Sequence, residues 1–167
     1  MHIDFSLLPD HARLWVYQGD RKFTASEQKI IEQEARAFCN QWVAHGTPLK
    51  TSFRIERAQF LILAVDEDFN GASGCSIDGS VHVLKSLQDR TGIDFFDRSK
   101  IAFLIKDEVN LIPLTELKKA FAAGTLGSTT LSFNVLVTSK GEWEKNWLVA
   151  VEKTWLGKYL PKITAAQ

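Results

Sequence analysis

The chain has only two cysteines, Cys39 and Cys75, among 167 residues. Two thiols are too few for a disulfide framework, and in a reducing compartment both are expected to stay free. No run approaches the roughly eighteen uninterrupted apolar residues of a membrane span. The first residues, Met1-His2-Ile3-Asp4-Phe5, lack a basic stretch followed by an apolar one, so no secretory leader is read and a cytoplasmic protein is expected. Charge of one sign is also missing: twenty Lys and Arg face twenty Asp and Glu. No overall field draws a polyanion or an anionic bilayer toward such a surface, so neither nucleic acid nor membrane is an expected partner. No Pro/Gly/Ser-rich linker, repeat or low-complexity tract divides the sequence, and residues 1–167 read as a single domain.

What the chain does have is aromatic bulk, with five Trp and eleven Phe. At this length folding removes roughly 70% of the unfolded surface from water, so large side chains should supply much of the core. Arg13 to Gln18 reads as a first strand closed by Gly19-Asp20. Thr24 stands three residues before Glu27, the capping-box spacing, and predicts a helix over 25–45 with Gly46 as its left-handed stop. Thr51 to Arg57 alternates and reads as half exposed. Gln59 to Asp66 contains six unbroken apolar residues and reads as a strand buried on both faces. Ile77, Val81, Leu84 and Leu87 predict a second helix over 77–91, stopped at Thr91-Gly92. Lys100 to Lys106 predicts another apolar strand, followed by a shorter one at 109–112.

Strand, helix, strand, strand, helix, strand over 13–106 is the order of a ferredoxin-like split βαβ core, so the expected class is α+β with a mainly antiparallel sheet and both helices on one face. Residues 107–167 read as a mainly helical extension packed on that core. Helices are expected at 115–123, near 139–147 and around 153–160, with an unassigned run at 128–137. An apolar strand buried on both sides requires the sheet's second face to be covered, and 114–167 is the segment expected to cover it. Trp143, Trp147 and Trp155 are expected to pin this segment down, with an exposed recognition face as the alternative.

The candidate site is the glycine-rich stretch Gly71-Ala72-Ser73-Gly74-Cys75-Ser76-Ile77-Asp78, which joins the buried strand to the second helix. A strand-to-helix loop of this kind bares backbone N–H groups and sets a thiol beside the positive end of a helix dipole. Cys75 is the candidate catalytic thiol and Asp78 a polar orienter, while Ser73, Gly74, Ser76 and Ile77 are the candidate anion-binding residues. The alternative is that Cys75 is a small packed residue and that Ser73 or Ser76 is only a helix cap. Val81 stands where a Cys-x5-Arg phosphatase loop needs its arginine. His82 lies seven residues and about 10 Å along the helix from Cys75, too far to act as its base. GxxxxGK[ST] and GxGxxG are both missing, and no cofactor is expected.

Asp66-x-Asp68-x-Asn70-Gly71 matches the first half of a calcium loop, but its twelfth position is Ile77 instead of a bidentate carboxylate, and a solvated acidic turn is the simpler reading. His2, His11, His45 and His82 fall in no recognisable ligand spacing, so no metal site is expected.

The chain resembles a small, uncharacterised bacterial family. The likeness rests on Leu14-Trp15-x-Tyr17-Gln18, on Trp42-x-x-His45-Gly46-x-Pro48-Leu49-Lys50, and above all on Gly71-Ala72-Ser73-Gly74-Cys75-Ser76-Ile77-Asp78. Phe95-Phe96-Asp97-Arg98 and the stretch from Phe133-Asn134 to Trp147 extend it over nearly the whole chain. Members of that family often carry the automatic label "ABC transporter ATPase". The residues here contradict it, having no phosphate loop and no LSGGQ-type signature. The resemblance implies no catalytic residue and points again to the Cys75 loop. Two functions remain: a small-anion or thiol-dependent site at 71–78, or a non-enzymatic module that binds a protein or forms a homodimer.

Overall fold

A computed structural model describes residues 1–68 and 74–161. In chain order the elements are β1 (Arg13–Gln18), α1 (Ala25–Gln41), β2 (Val43–Ala44), β3 (Thr47–Pro48), β4 (Lys50–Glu56), β5 (Phe60–Asp66), α2 (Gly74–Thr91), β6 (Lys100–Ile105), β7 (Glu108–Pro113), α3 (Leu117–Ala122), β8 (Leu131–Phe133), α4 (Lys140–Asn146) and β9 (Leu148–Ala150). Short 3-10 turns lie at Phe5–Leu7, Leu114–Glu116, Val151–Lys153 and Trp155–Tyr159. The chain is α+β with antiparallel sheets. It forms two compact units, residues 1–97 with 135–145, and residues 98–134 with 146 onward.

In the first unit β5 lies between β1 and β4 and is antiparallel to both, in registers that set Trp15 opposite Leu63 and Lys50 opposite Asp66. Its central place follows from its sequence: every residue from Phe60 to Asp66 is buried, and only an inner strand covered on both faces hides such a run. Side chains alternate along it. Leu61, Leu63 and Val65 face Ile31 and Ala35 of α1 and Leu84 and Leu87 of α2. Ile62 and Ala64, with Leu14, face Phe5, Leu8, Ala12 and Trp143. The second face is therefore covered mainly by the N-terminal segment, with Trp143 the contribution from the C-terminal third.

Thr24 and Glu27 form the expected capping box: the Glu27 N–H donates to Thr24 Oγ1 at 3.2 Å and the Thr24 N–H to Glu27 Oε1 at 2.8 Å. The helix ends at Gln41, earlier than the expected residue 45. The next residues are drawn into the β2–β3 hairpin, whose two-residue turn puts His45 at φ 51° and Gly46 at φ 77°. Two successive positive φ values make a type I′ turn, so Gly46 serves a hairpin and not a helix end. Helix α2 starts at Gly74, ahead of the expected residue 77, and stops as expected, with Gly92 at φ 75° donating to Gln88 O at 2.7 Å.

A four-stranded ferredoxin-like sheet does not form. The strand over 100–105 pairs with β7 and β8 instead of with β1. The outer edge of β1 is engaged otherwise, with the Leu14 N–H donating to Thr138 O at 2.9 Å and an isolated bridge between Arg13 and Ser139.

The second unit is built on a sheet of order β7-β6-β8-β9. β6 and β7 form a hairpin through Lys106 and Asp107, both at positive φ. Phe103 packs with Leu117 and Phe121 of α3 and with Leu126, Val151 and Leu156. The extension is thus less helical than expected. Residues 115–123 become a 3-10 turn followed by α3, part of 128–137 becomes β8, and 153–160 becomes the 3-10 turn Trp155–Tyr159 begun by the Thr154 hydroxyl, which accepts from the Leu156 N–H. β9 had no counterpart in the sequence reading. No helix among the described residues is long and apolar enough to cross a membrane.

Candidate functional site

Asp66 closes β5. Strand alternation places its side chain on the face of Ile62 and Ala64, the face that the N-terminal segment covers. His11 belongs to that segment, which α4 holds in place. The Lys140 N–H donates to Ala12 O at 2.9 Å, and the Gly141 N–H donates to Asp10 O at 2.7 Å. Lys140 Nζ donates to Leu8 O at 2.7 Å and to Ser6 O at 3.2 Å. Gly141 makes this approach feasible, since a Cβ there would stand 3.2 Å from both Asp10 Cβ and Asp10 O.

The segment so held brings His11 to the end of β5. His11 Nε2 lies 2.7 Å from Asp68 Oδ1 and 4.0 Å from Asp66 Oδ1. The Asp68 N–H donates to Asp66 Oδ1 at 3.0 Å. One ligand atom from each of the three residues lies within 4.8 Å of the others. His11 and Asp68 are more than half exposed, but the Asp66 side chain is only 8% exposed. Among the described residues its carboxylate accepts a hydrogen bond from the Asp68 N–H alone. An imidazole nitrogen and two carboxylate oxygens form a donor set for a divalent ion. With bonds of about 2.0–2.2 Å such an ion needs its donors roughly 3–3.5 Å apart, a spacing that the His11 separations of 2.7 and 4.0 Å lie on either side of.

The residues singled out from sequence are placed as follows. Gly74 opens α2 and Cys75 is the helix's second residue. Ser73 lies outside the described residues, as do Asn70 and Gly71 of the calcium half-motif and Ala72. Ser76 and Ile77 fall in the first turn of α2 by backbone, and their side chains, like that of Cys75, are outside what is described. Asp78 and His82 are exposed on α2. No spacing in the sequence pointed to His11, which meets Asp68 across 57 residues. Two members of the calcium half-motif, Asp66 and Asp68, do enter the cluster.

No family model, curated protein or solved structure matches this chain. Cys39, the other thiol, is buried on α1. Burial pushes its pKa up to about 12, against the hydrogen bond from Thr51 that works the other way, so it is inert at neutral pH. The three tryptophans do not form one cluster. Trp143 packs edge-on against Phe5 at 5.6 Å, with the Arg54 guanidinium 5.3 Å from its ring centroid. Trp147 packs against Phe133 at 5.3 Å in the second unit. Trp155 is 52% exposed, with Lys158 Nζ 5.2 Å from its ring centroid.

Proposed function

We propose that the first unit binds a divalent cation through His11, Asp66 and Asp68, and that the ion recruits a small anionic ligand to the end of the sheet where β5 gives way to α2. The observation that carries this is the meeting of an imidazole and two carboxylates from distant parts of the chain within 4.8 Å. Burial of Asp66 supports it, because a carboxylate removed from water calls for a compensating positive charge. The start of α2 at Gly74 supports the anion, since the first-turn N–H groups of a helix have no intrahelical acceptor. The strand order, with β1 and β4 flanking β5, supports reading this unit as a three-stranded variant of the ferredoxin-like plan. The buried free thiol of Cys39 fits a cytoplasmic setting.

Calorimetric titration of the full chain with MnCl2, followed by inorganic phosphate, tests the proposal. One ion per chain is expected, with Asp68→Asn weakening it at least about tenfold without lowering Tm, and phosphate binding only to the ion-loaded chain. Equal affinity for Mn²⁺ in the variant and the parent would remove the metal reading.

A second reading keeps Cys75 as a reactive thiol, supported by its place as second residue of an 18-residue helix. Iodoacetamide labelling against pH tests it: a midpoint below about 8.5 is expected, and a thiol inert up to pH 8 sinks it. Homodimerisation would draw on exposed apolar side chains such as Trp155, and a strict monomer by light scattering would leave it without support.

A further inference from the structure

We infer that the His11–Asp66–Asp68 site takes a late transition-series divalent ion of the zinc type in preference to calcium or magnesium, and that His11 makes the choice. The inference rests on the cation reading above. Calcium prefers six to eight oxygen ligands and magnesium keeps most of its water, whereas imidazole nitrogen suits zinc, iron and nickel. Among the described residues the cluster's nitrogen donor is His11 Nε2, 2.7 Å from Asp68 Oδ1 and 4.0 Å from Asp66 Oδ1. Its place is built in by contacts that do not depend on an ion: Lys140 and Gly141 hold the backbone of Asp10 and Ala12 on either side of it.

The burial of Asp66 adds to the clustering. The Asp66 side chain is more than nine-tenths buried, and outside the cluster no described residue donates a hydrogen bond to it. A carboxylate so removed from water is favoured by a cation beside it, and among the described residues His11 and Asp68 are the side chains that converge on its Oδ1. The calcium reading drawn from Asp66-x-Asp68-x-Asn70-Gly71 runs the other way, because its twelfth position offers Ile77 and no carboxylate. Three protein donors, two of them more than half exposed, leave coordination positions open toward solvent. The ion is therefore exchangeable and carries water that a small oxyanion can replace.

The test uses the full chain with Cys75→Ser, which removes a second possible zinc ligand, in chelator-treated buffer. Loss of the free-ion electron paramagnetic resonance signal of MnCl2 reports binding, and ZnCl2 or CaCl2 is added as competitor. Zinc is expected to displace manganese at about a hundredfold lower concentration than calcium, and His11→Ala to bring the two within about tenfold of each other. Asp68→Asn should weaken every ion. Both variants change exposed side chains, and an unaltered far-ultraviolet spectrum and Tm show that they fold. Calcium competing within tenfold of zinc in the parent, or an unchanged ratio in His11→Ala, overturns the ion choice while leaving a cation site. Failure of the parent to bind manganese at all overturns the cation reading itself.

Discussion

Glu27 carries two tasks on one carboxylate. It closes the capping box of α1, and it takes a bidentate pair of bonds from Arg21, 2.8 and 2.7 Å long. Those Arg21 bonds, then the Thr24 N–H, lower its pKa from 4.5 to about 2. A carboxylate with a depressed folded pKa stabilises the fold above its unfolded value and ceases to do so as pH falls through the folded one. The Glu27 contribution is therefore whole above about pH 5 and fades between pH 4.5 and about 2. Glu27→Gln should cost about 1–2 kcal/mol at neutral pH, and its urea midpoint should approach that of the parent as the pH is taken down to 3. This residue was legible in the sequence because cap and partner are three positions apart. His11 was not, because nothing local in the sequence says which carboxylate a residue will meet 57 positions away.

At the level of elements, β5 was legible for a related reason. Six consecutive apolar residues admit few placements other than an inner strand, and all six are fully buried. Leu63→Ala should cost about 2–5 kcal/mol, read as a lower denaturation midpoint with an unchanged m value. The end of α1 was misread because His45-Gly46 serves equally well as a helix stop or a two-residue hairpin turn, and only the pairing of Val43 with Pro48 decides. The fourth strand failed likewise: 100–105 is a strand, but its partner is a long-range choice that its own residues do not encode. Gly141 links an element to the site. Gly141→Ala sets a methyl 3.2 Å from Asp10 and must push α4 and the His11 segment apart. Manganese affinity should fall severalfold although Gly141 touches no ligand, whereas an unchanged affinity would show that α4 does not position His11.

For the whole molecule, composition set limits that pattern alone could not. Equal numbers of acidic and basic residues leave recognition to local groups, and the candidate site is such a group. The tryptophans supply a global readout. Of the five tryptophans Trp155 is the most exposed, Trp42 and Trp147 are buried and Trp15 and Trp143 lie between, so iodide should quench Trp155 most, and Trp155→Phe should remove the largest quenchable component. Quenching that Trp155→Phe leaves unchanged would mean that Trp155 is shielded in solution. The sequence placed Trp143, Trp147 and Trp155 in one docking segment, but the chain passes from the first unit to the second between Trp143 and Trp147. That division depends on contacts made at long range, which periodicity does not report.

The cover over the outer sheet face joins residues 6 and 8 to Lys140 across 134 and 132 positions of sequence. On a ribosome adding about 5–20 residues each second, the strands of the first sheet are finished roughly 4–15 seconds before Lys140 has been synthesised. For that interval Ile62 and Ala64 of a nascent chain lack the anchor that keeps their shield in place. A chaperone that grips apolar strands has its opening then, and closing it is the task of a lysine near the far end of the message.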